Sequence, residues 1–276
     1  MAEPIKKIVV ATDLSERSDR ALRRAMHLAK AHAATLDVVS VVDDAHPKGI
    51  VDETAERVRK HLEQVARADG VTTEITVETG DVYETLVQRV NAEDADLVIL
   101  GLHRPRVLFD AIRETTMERL VQGAKKPVLL VKEPGGAAYE RVLAPVSFSP
   151  ACEAALAAAI RIAEEAEYEL FHAWMVPFGG LTGGQESDYA DQVRAETKAL
   201  AEAWQGLIDP RLPETRLIHG AVGATLRSEI SRFRPDLLAI GAHTRAGPAF
   251  HHIGSFAADL IRDPPADILI CQGARG

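Results

Sequence analysis

The stretch KIVVATDLSERSDRALRRAMHLA (7–29) returns, without a gap, as RVLAPVSFSPACEAALAAAIRIA (141–163). In both, a short apolar run ends in a polar turn and a serine. Apolar residues such as Ala21, Leu22, Ala25, Met26 and Ala29 then recur every three to four positions, one face of a helix. Three further blocks keep the same order: TGDVYETL (79–86) answers HGAVGATL (219–226), DADLVILGLHR (94–104) answers RPDLLAIGAHT (234–244), and KKPVLLV (125–131) answers PADILIC (265–271). The first pair is offset by 134 residues and the others by 140, which places six extra residues in the second copy, mostly in PFGGLTGGQESD (177–188). Blocks in one order at near-constant offset define an internal duplication. The Pro and two glycines of KEPGGAAYE (132–140) form a natural linker, which predicts two domains, 1–135 and 138–276.

Each copy alternates strand-like and helix-like patterns. In the first, apolar runs at 8–11, 36–42, 72–78, 96–101 and 127–131 are separated by helical stretches from Ser15, over 52–68, from Val82 and from Thr115. Ser15 is the expected N-cap of the first helix, and Ser149 with Pro150 holds that place in the second copy. Continuous apolar strands with helices between them predict a parallel sheet covered on both faces. Such a sheet binds ligands beyond the carboxyl ends of its strands, where the strand order reverses. Asp13 and the loop after Gly101 fall there in the first copy, Ser147 and the loop after Gly241 in the second.

Bulk properties narrow the function. With 46% hydrophobic and 26% charged residues the chain has the composition of an ordinary globular protein. A net charge of −9 argues against nucleic acid or anionic membranes as partners. Cys152 and Cys271 stand far apart in no metal or redox spacing, which favours the reducing cytoplasm. The opening MAEPIKKIVVATD turns charged too early for a secretion signal, and no apolar run reaches the ~20 residues of a membrane helix.

The strand, acidic turn and helix of IVVATDLSERSDRAL, the fourth-strand segments DLVILGLHR and DLLAIGAHT, and the last strand KKPVLLV together resemble the universal stress protein family, in its tandem form. The resemblance spans both halves except 43–70 and 177–210. It implies two Rossmann-like, adenine nucleotide α-hydrolase-like α/β domains, each a five-stranded parallel sheet of order 3-2-1-4-5. It also implies that 127–131 pairs with 267–271 inside the chain as a pseudo-dimer, and it leaves room for a homodimer of tandem chains.

Family members that bind nucleotide carry G-x2-G-x9-G-[ST] after the fourth strand, where glycines admit phosphate and a helix start binds anions. Here the first copy keeps Gly101 and Thr115 but has Arg104 and Glu114 at the middle positions. The second keeps Gly241, Gly254 and Ser255, with Thr244 at the remaining position. The family's acidic residue is Asp13 in the first copy and Ser147 in the second. The resemblance thus implies a nucleotide site of Asp13, Val41, Gly101 and Thr115 in one half, and of Ser147, Ala173, Gly241, Thr244, Gly254 and Ser255 in the other. The more complete loop points to ATP, with its accompanying magnesium, or another phosphorylated ligand in the second half. The alternatives are a nucleotide-independent scaffold with vestigial sites and a slow ATPase.

Other chemistry has weaker support. His243, His251 and His252 invite a metal, yet no H-E-x-x-H or paired C-x-x-C motif is present. His172 reads as a hydrogen-bonded, partly buried strand residue, and the two cysteines as small apolar residues. Acid–base work by Asp13 would need a partner such as His103. The helix over 52–69 shows one core-facing stripe, and the Gly-rich approach to helix 186–207 (Gly179 to Gly184) is a candidate flap.

Overall fold

The computed structural model describes residues 3–66, 70–92, 94–102, 116–133, 136–176, 188–242 and 255–273. The first half runs β1 (Lys7–Ala11), α1 (Glu16–His32), β2 (Thr35–Val42), α2 (Lys48–Ala66), β3 (Thr73–Thr79), α3 (Val82–Ala92), β4 (Leu97–Gly101), α4 (Thr116–Gly123) and β5 (Val128–Val131). The second repeats it as β6 (Arg141–Pro145), α5 (Pro150–Ile162), β7 (Glu167–Trp174), α6 (Asp188–Gln205), β8 (Arg216–His219), α7 (Val222–Phe233), β9 (Leu237–Ala242), α8 (Ser255–Arg262) and β10 (Asp267–Gln272). Helix α2 starts ahead of the expected residue 52, because the Pro47 carbonyl accepts from the amides of Ile50 and Val51 and opens the first turn early.

All ten strands form one sheet of order β3-β2-β1-β4-β5-β10-β9-β6-β7-β8. Each half is parallel and keeps the expected 3-2-1-4-5 order, but the halves are not separate sheets. Strands β5 and β10 pair antiparallel, Leu130 with Ile268, Leu129 with Leu269 and Val128 with Ile270. The expected pairing of 127–131 with 267–271 therefore makes the seam of the molecule. Two apolar layers cover the faces. One packs Leu22, Ala25 and Met26 of α1, Leu62 of α2, Leu156 and Ala159 of α5 and Trp204 of α6; the other packs Leu86 of α3, Leu120 of α4, Leu226 of α7 and Leu260 of α8.

Each half fixes the start of its first strand with an aspartate that stands before the fourth. Asp96 accepts from the amides of Lys6 and Lys7 at 2.8 and 3.1 Å, and Asp236 from those of Glu140 and Arg141 at 2.8 and 3.0 Å. Across the seam the duplication is broken by Asp267, which takes the place of Pro127. Its buried carboxylate accepts from the amides of Lys132 and Glu133 and, at 2.7 Å, from the Tyr139 hydroxyl. Arg24 of α1 lies over the Tyr139 ring with its Nε 3.6 Å from Asp267, and its Nη1 donates to the Ala137 carbonyl. Burial, and then the Asp267 carboxylate, push the Tyr139 phenol well above its usual value, so it remains the donor. On the opposite face Arg262 meets the buried Glu118 at 2.8 Å, and Gln272 donates to the last carbonyls of α4. The linker is thus tied to the seam through the buried Tyr139.

Glycine decides how the lead helices sit. A Cβ on Gly101 would lie 2.6 Å from the Arg17 carbonyl oxygen, and one on Gly241 would lie 2.5 Å from the Cys152 amide nitrogen. Only a residue without a side chain lets the first turn of α1 or α5 rest on the end of β4 or β9.

Removing the Asp267 carboxylate strands Arg24, so Asp267→Ala should lower the unfolding free energy in urea by about 3–5 kcal/mol. Removing the exposed Asp19 partner of Arg23 should change it by less than about 1 kcal/mol. Gly101→Ala and Gly241→Ala should each cost about 1–3 kcal/mol through steric displacement of the lead helix. Gly49→Ala, whose added carbon meets nothing within 4 Å, should cost nothing.

Candidate functional site

In the first half a crevice of about 360 Å3 lies beyond the paired ends of β1 and β4. Its floor is apolar, with Val39 and Val41 of β2, Val82 and Leu86 of α3, Leu100 of β4 and Met117 and Leu120 of α4. Its rim is the turn between β1 and α1, which carries Thr12, Asp13, Ser15, Arg17 and Ser18. The volume is near the small end of ligand pockets, which run from about 300 to 1,000 Å3.

The rim turn is fixed by its own side chains. Leu14 adopts a left-handed conformation with φ of 59°, unusual for a branched residue. That turn brings the Leu14 amide to Thr12 Oγ1 at 3.1 Å and the Ser15 amide to Asp13 Oδ1 at 3.0 Å. Ser15 caps α1 by accepting from the Ser18 amide, and Thr12 Oγ1 donates to Ser18 Oγ at 3.0 Å beneath it. Partial burial raises the Asp13 carboxyl, but hydrogen bonds from Ser15 and Ser18 outweigh it and hold the group below the usual carboxylate range. At neutral pH the crevice therefore presents an ionised carboxylate above an apolar floor.

The second half uses the same frame with other furniture. Phe148 takes the left-handed place of Leu14, with φ of 57°. Ser147, at the position of Asp13, has its hydroxyl 3.4 Å from Ser149 Oγ and from Cys152 Sγ. Phe148 stacks on His172 at 4.4 Å and meets Trp204 edge-on at 5.7 Å, while His172 Nδ1 lies 2.8 Å from the Val146 carbonyl. Strand register sets Phe171 opposite Pro145 as Val39 is set opposite Ala11. Phe171 is 1% exposed and belongs to the same apolar layer as Leu226, Ile240 and Leu260, the counterparts of the Leu86, Leu100 and Leu120 that line the first crevice. A phenyl ring thus occupies the floor position that an isopropyl group holds in the first half.

Of the residues expected at the sites, Asp13, Val41 and Gly101 come together around one crevice. Ser147 and Ala173 stand at the corresponding ends of β6 and β7, and Gly241 lies within β9. Gly101 and Gly241 serve helix packing at the strand ends. Ser255 opens α8, while Thr115, Thr244 and Gly254 lie outside the described residues, as do His103, Arg104, Glu114, the histidines 243, 251 and 252 and the candidate flap. Because β5 and β10 run antiparallel, the carboxyl ends of the two sets of strands lie at opposite edges of the sheet, and no small ligand can touch Asp13 and Gly241 together.

Sequence reasoning passed over Thr12, Ser18 and Arg17, although the gapless alignment set Arg17 against Ala151. Cys152 and Cys271 are both buried, and burial pushes the Cys271 thiol up to about 12, so it is no nucleophile at neutral pH. Among the described residues no group of three or more His, Cys, Asp or Glu could hold a metal, and no helix is long and apolar enough to cross a membrane.

The sequence profile of the universal stress protein family matches residues 4–132 and again 138–272. A universal stress protein of Mycolicibacterium smegmatis is 25% identical to this chain, with 96% of each covered. A shorter one from Methanocaldococcus jannaschii is 27% identical over 47% of this chain and 83% of its own length. The crystal structure of a universal stress protein from Archaeoglobus fulgidus superposes with a TM-score of 0.72 at 18% identity, covering 97% of this chain and 96% of that one. Two matches in tandem, on a sheet whose halves repeat one strand order, have one meaning: the chain belongs to the universal stress protein family and carries its domain twice.

Proposed function

We propose that this protein is a cytoplasmic binding module whose first-half crevice holds the nucleoside part of an adenine nucleotide or a related ligand. The observation that carries the reading is the ionised Asp13 carboxylate at the rim of an apolar crevice beyond β1 and β4. A carboxylate in that place accepts hydrogen bonds from sugar hydroxyls, and a flat base covers the aliphatic floor. The expectation of ATP or another phosphorylated ligand in the second half rests on Gly254 and Ser255. Against it stand Ser147 in place of the acid and Phe171 at the floor. In the sequence Glu114 stands at a motif position where nucleotide-binding members of the family have glycine, which favours the nucleoside end over a triphosphate in the first half. Turnover finds less support than binding, because rim groups Thr12, Ser15 and Ser18 are committed to one another.

Calorimetry with adenosine and with ATP on the full chain tests this reading. Adenosine should bind, and Asp13→Ala should weaken it at least about tenfold by removing charge-assisted hydrogen bonds. Gly254→Glu, which copies Glu114, should leave adenosine binding intact. Loss with Gly254→Glu and retention with Asp13→Ala would move the site to the second half. No binding of either ligand would favour the scaffold without nucleotide.

The depressed Asp13 carboxyl also sets a pH dependence. Adenosine affinity should be flat from neutral pH down past the ordinary carboxylate range, then fall as Asp13 protonates below it. A decline centred near pH 6–7, where histidines titrate, would contradict the assignment.

A further inference from the structure

The lead helices of the two halves rest on glycine in the same way but carry different side chains there. Ala151 lies against Gly241 as Arg17 lies against Gly101. The alanine ends at its methyl group; the arginine extends into the crevice. Its Nη1 donates to the Leu102 carbonyl, just past the end of β4, at 3.4 Å. That is longer than the usual 2.7–3.2 Å of N–H···O bonds, so a stronger acceptor would displace the carbonyl readily. Among the described residues that line the crevice, Arg17 is the one cation and Asp13 the one anion. Both are absent from the equivalent positions of the second half, where Ala151 and Ser147 stand. The two charges are separated along one turn of chain, and the apolar floor lies below them.

We infer that Arg17 is the specificity-determining residue of this crevice, binding the single phosphate of a nucleoside monophosphate whose sugar hydroxyls Asp13 holds. The assignment rests on the reading of the crevice as a nucleoside site and adds the ligand's charged group to it. A compact anion matches the guanidinium fork, which can donate two parallel hydrogen bonds to one phosphate. The volume of about 360 Å3 accommodates a ligand of this size. No residue of the glycine loop is needed for the contact.

Calorimetry on the full chain, with adenosine and adenosine monophosphate as probes, separates this assignment from the reading beneath it. The wild-type protein should bind the monophosphate about tenfold or more tightly than adenosine at low ionic strength, the size of a charge-assisted hydrogen bond. Added salt should narrow that ratio, since the contact is partly exposed. Arg17→Ala, which copies Ala151 and so should keep the same unfolding midpoint, should bring the ratio to about one. Arg17→Lys should retain part of it, because the charge remains and the fork is lost. Arg23→Ala, an exposed cation on the same helix, should leave the ratio unchanged. A wild-type ratio near one, or an Arg17→Ala ratio equal to wild type, overturns the role of Arg17 while adenosine binding still stands. If neither probe binds the wild-type protein, the nucleoside reading falls and the Arg17 assignment falls with it.

Discussion

Three antiparallel residue pairs, Val128 with Ile270, Leu129 with Leu269 and Leu130 with Ile268, hold the two halves in one sheet. Without them each half would end in a bare strand of four or more apolar residues, an open template for pairing with other chains. Joining the two edges buries both and leaves only β3 and β8 at the margins. The direction of the pairing has a second consequence. Antiparallel union turns the carboxyl ends of the two sets of strands to opposite edges, so the halves share a core but not a binding crevice.

The linker belongs to the same seam. Asp267 stands at the start of β10, where the first copy has proline, and binds the chain that has just left β5. Arg24 of α1 reaches the same carboxylate and the linker carbonyl of Ala137. Helix α1 therefore touches the crevice with its first turn and the domain junction one and a half to two turns later. Arg20, between the two, donates to the Lys132 carbonyl at 2.9 Å. A ligand that draws on the first turn of α1 acts on an element whose other contacts hold the two halves together.

Much of this was legible in the sequence because it depends on local pattern. The alternation of apolar runs with helical stripes gave the element types, and the strongly apolar fifth strand in each copy pointed to the edge that must be covered. What escaped depends on partners far away in the chain. Nothing near Asp267 in sequence announces that Tyr139, 128 residues earlier, completes its shell. Likewise the equivalence of Val39 and Phe171 emerges only from strand register, which sets them opposite Ala11 and Pro145, and with it their difference in volume at the crevice floor. The residues 103–115 and 243–254, on which the loop expectations chiefly rested, lie outside the described structure.

The glycines changed meaning most. Counting motif glycines favours the second half as the phosphate site, since Gly241 and Gly254 stand where the first half has Gly101 and Glu114. Yet Gly101 and Gly241 occur in both halves for one shared reason: each lets a lead helix rest on a strand end at a distance no Cβ could tolerate. A residue required by packing in both copies carries no information about which copy binds. That information lies where the copies share a backbone and differ in side chain: Asp13 against Ser147, Arg17 against Ala151, Val39 against Phe171. At all three positions the first half has the choice that opens or charges the crevice, and the second the choice that fills or neutralises it. Duplication kept the frame and let the two crevices diverge, because the frame is held by β5, β10 and the paired glycines, and none of these depends on what the crevices contain.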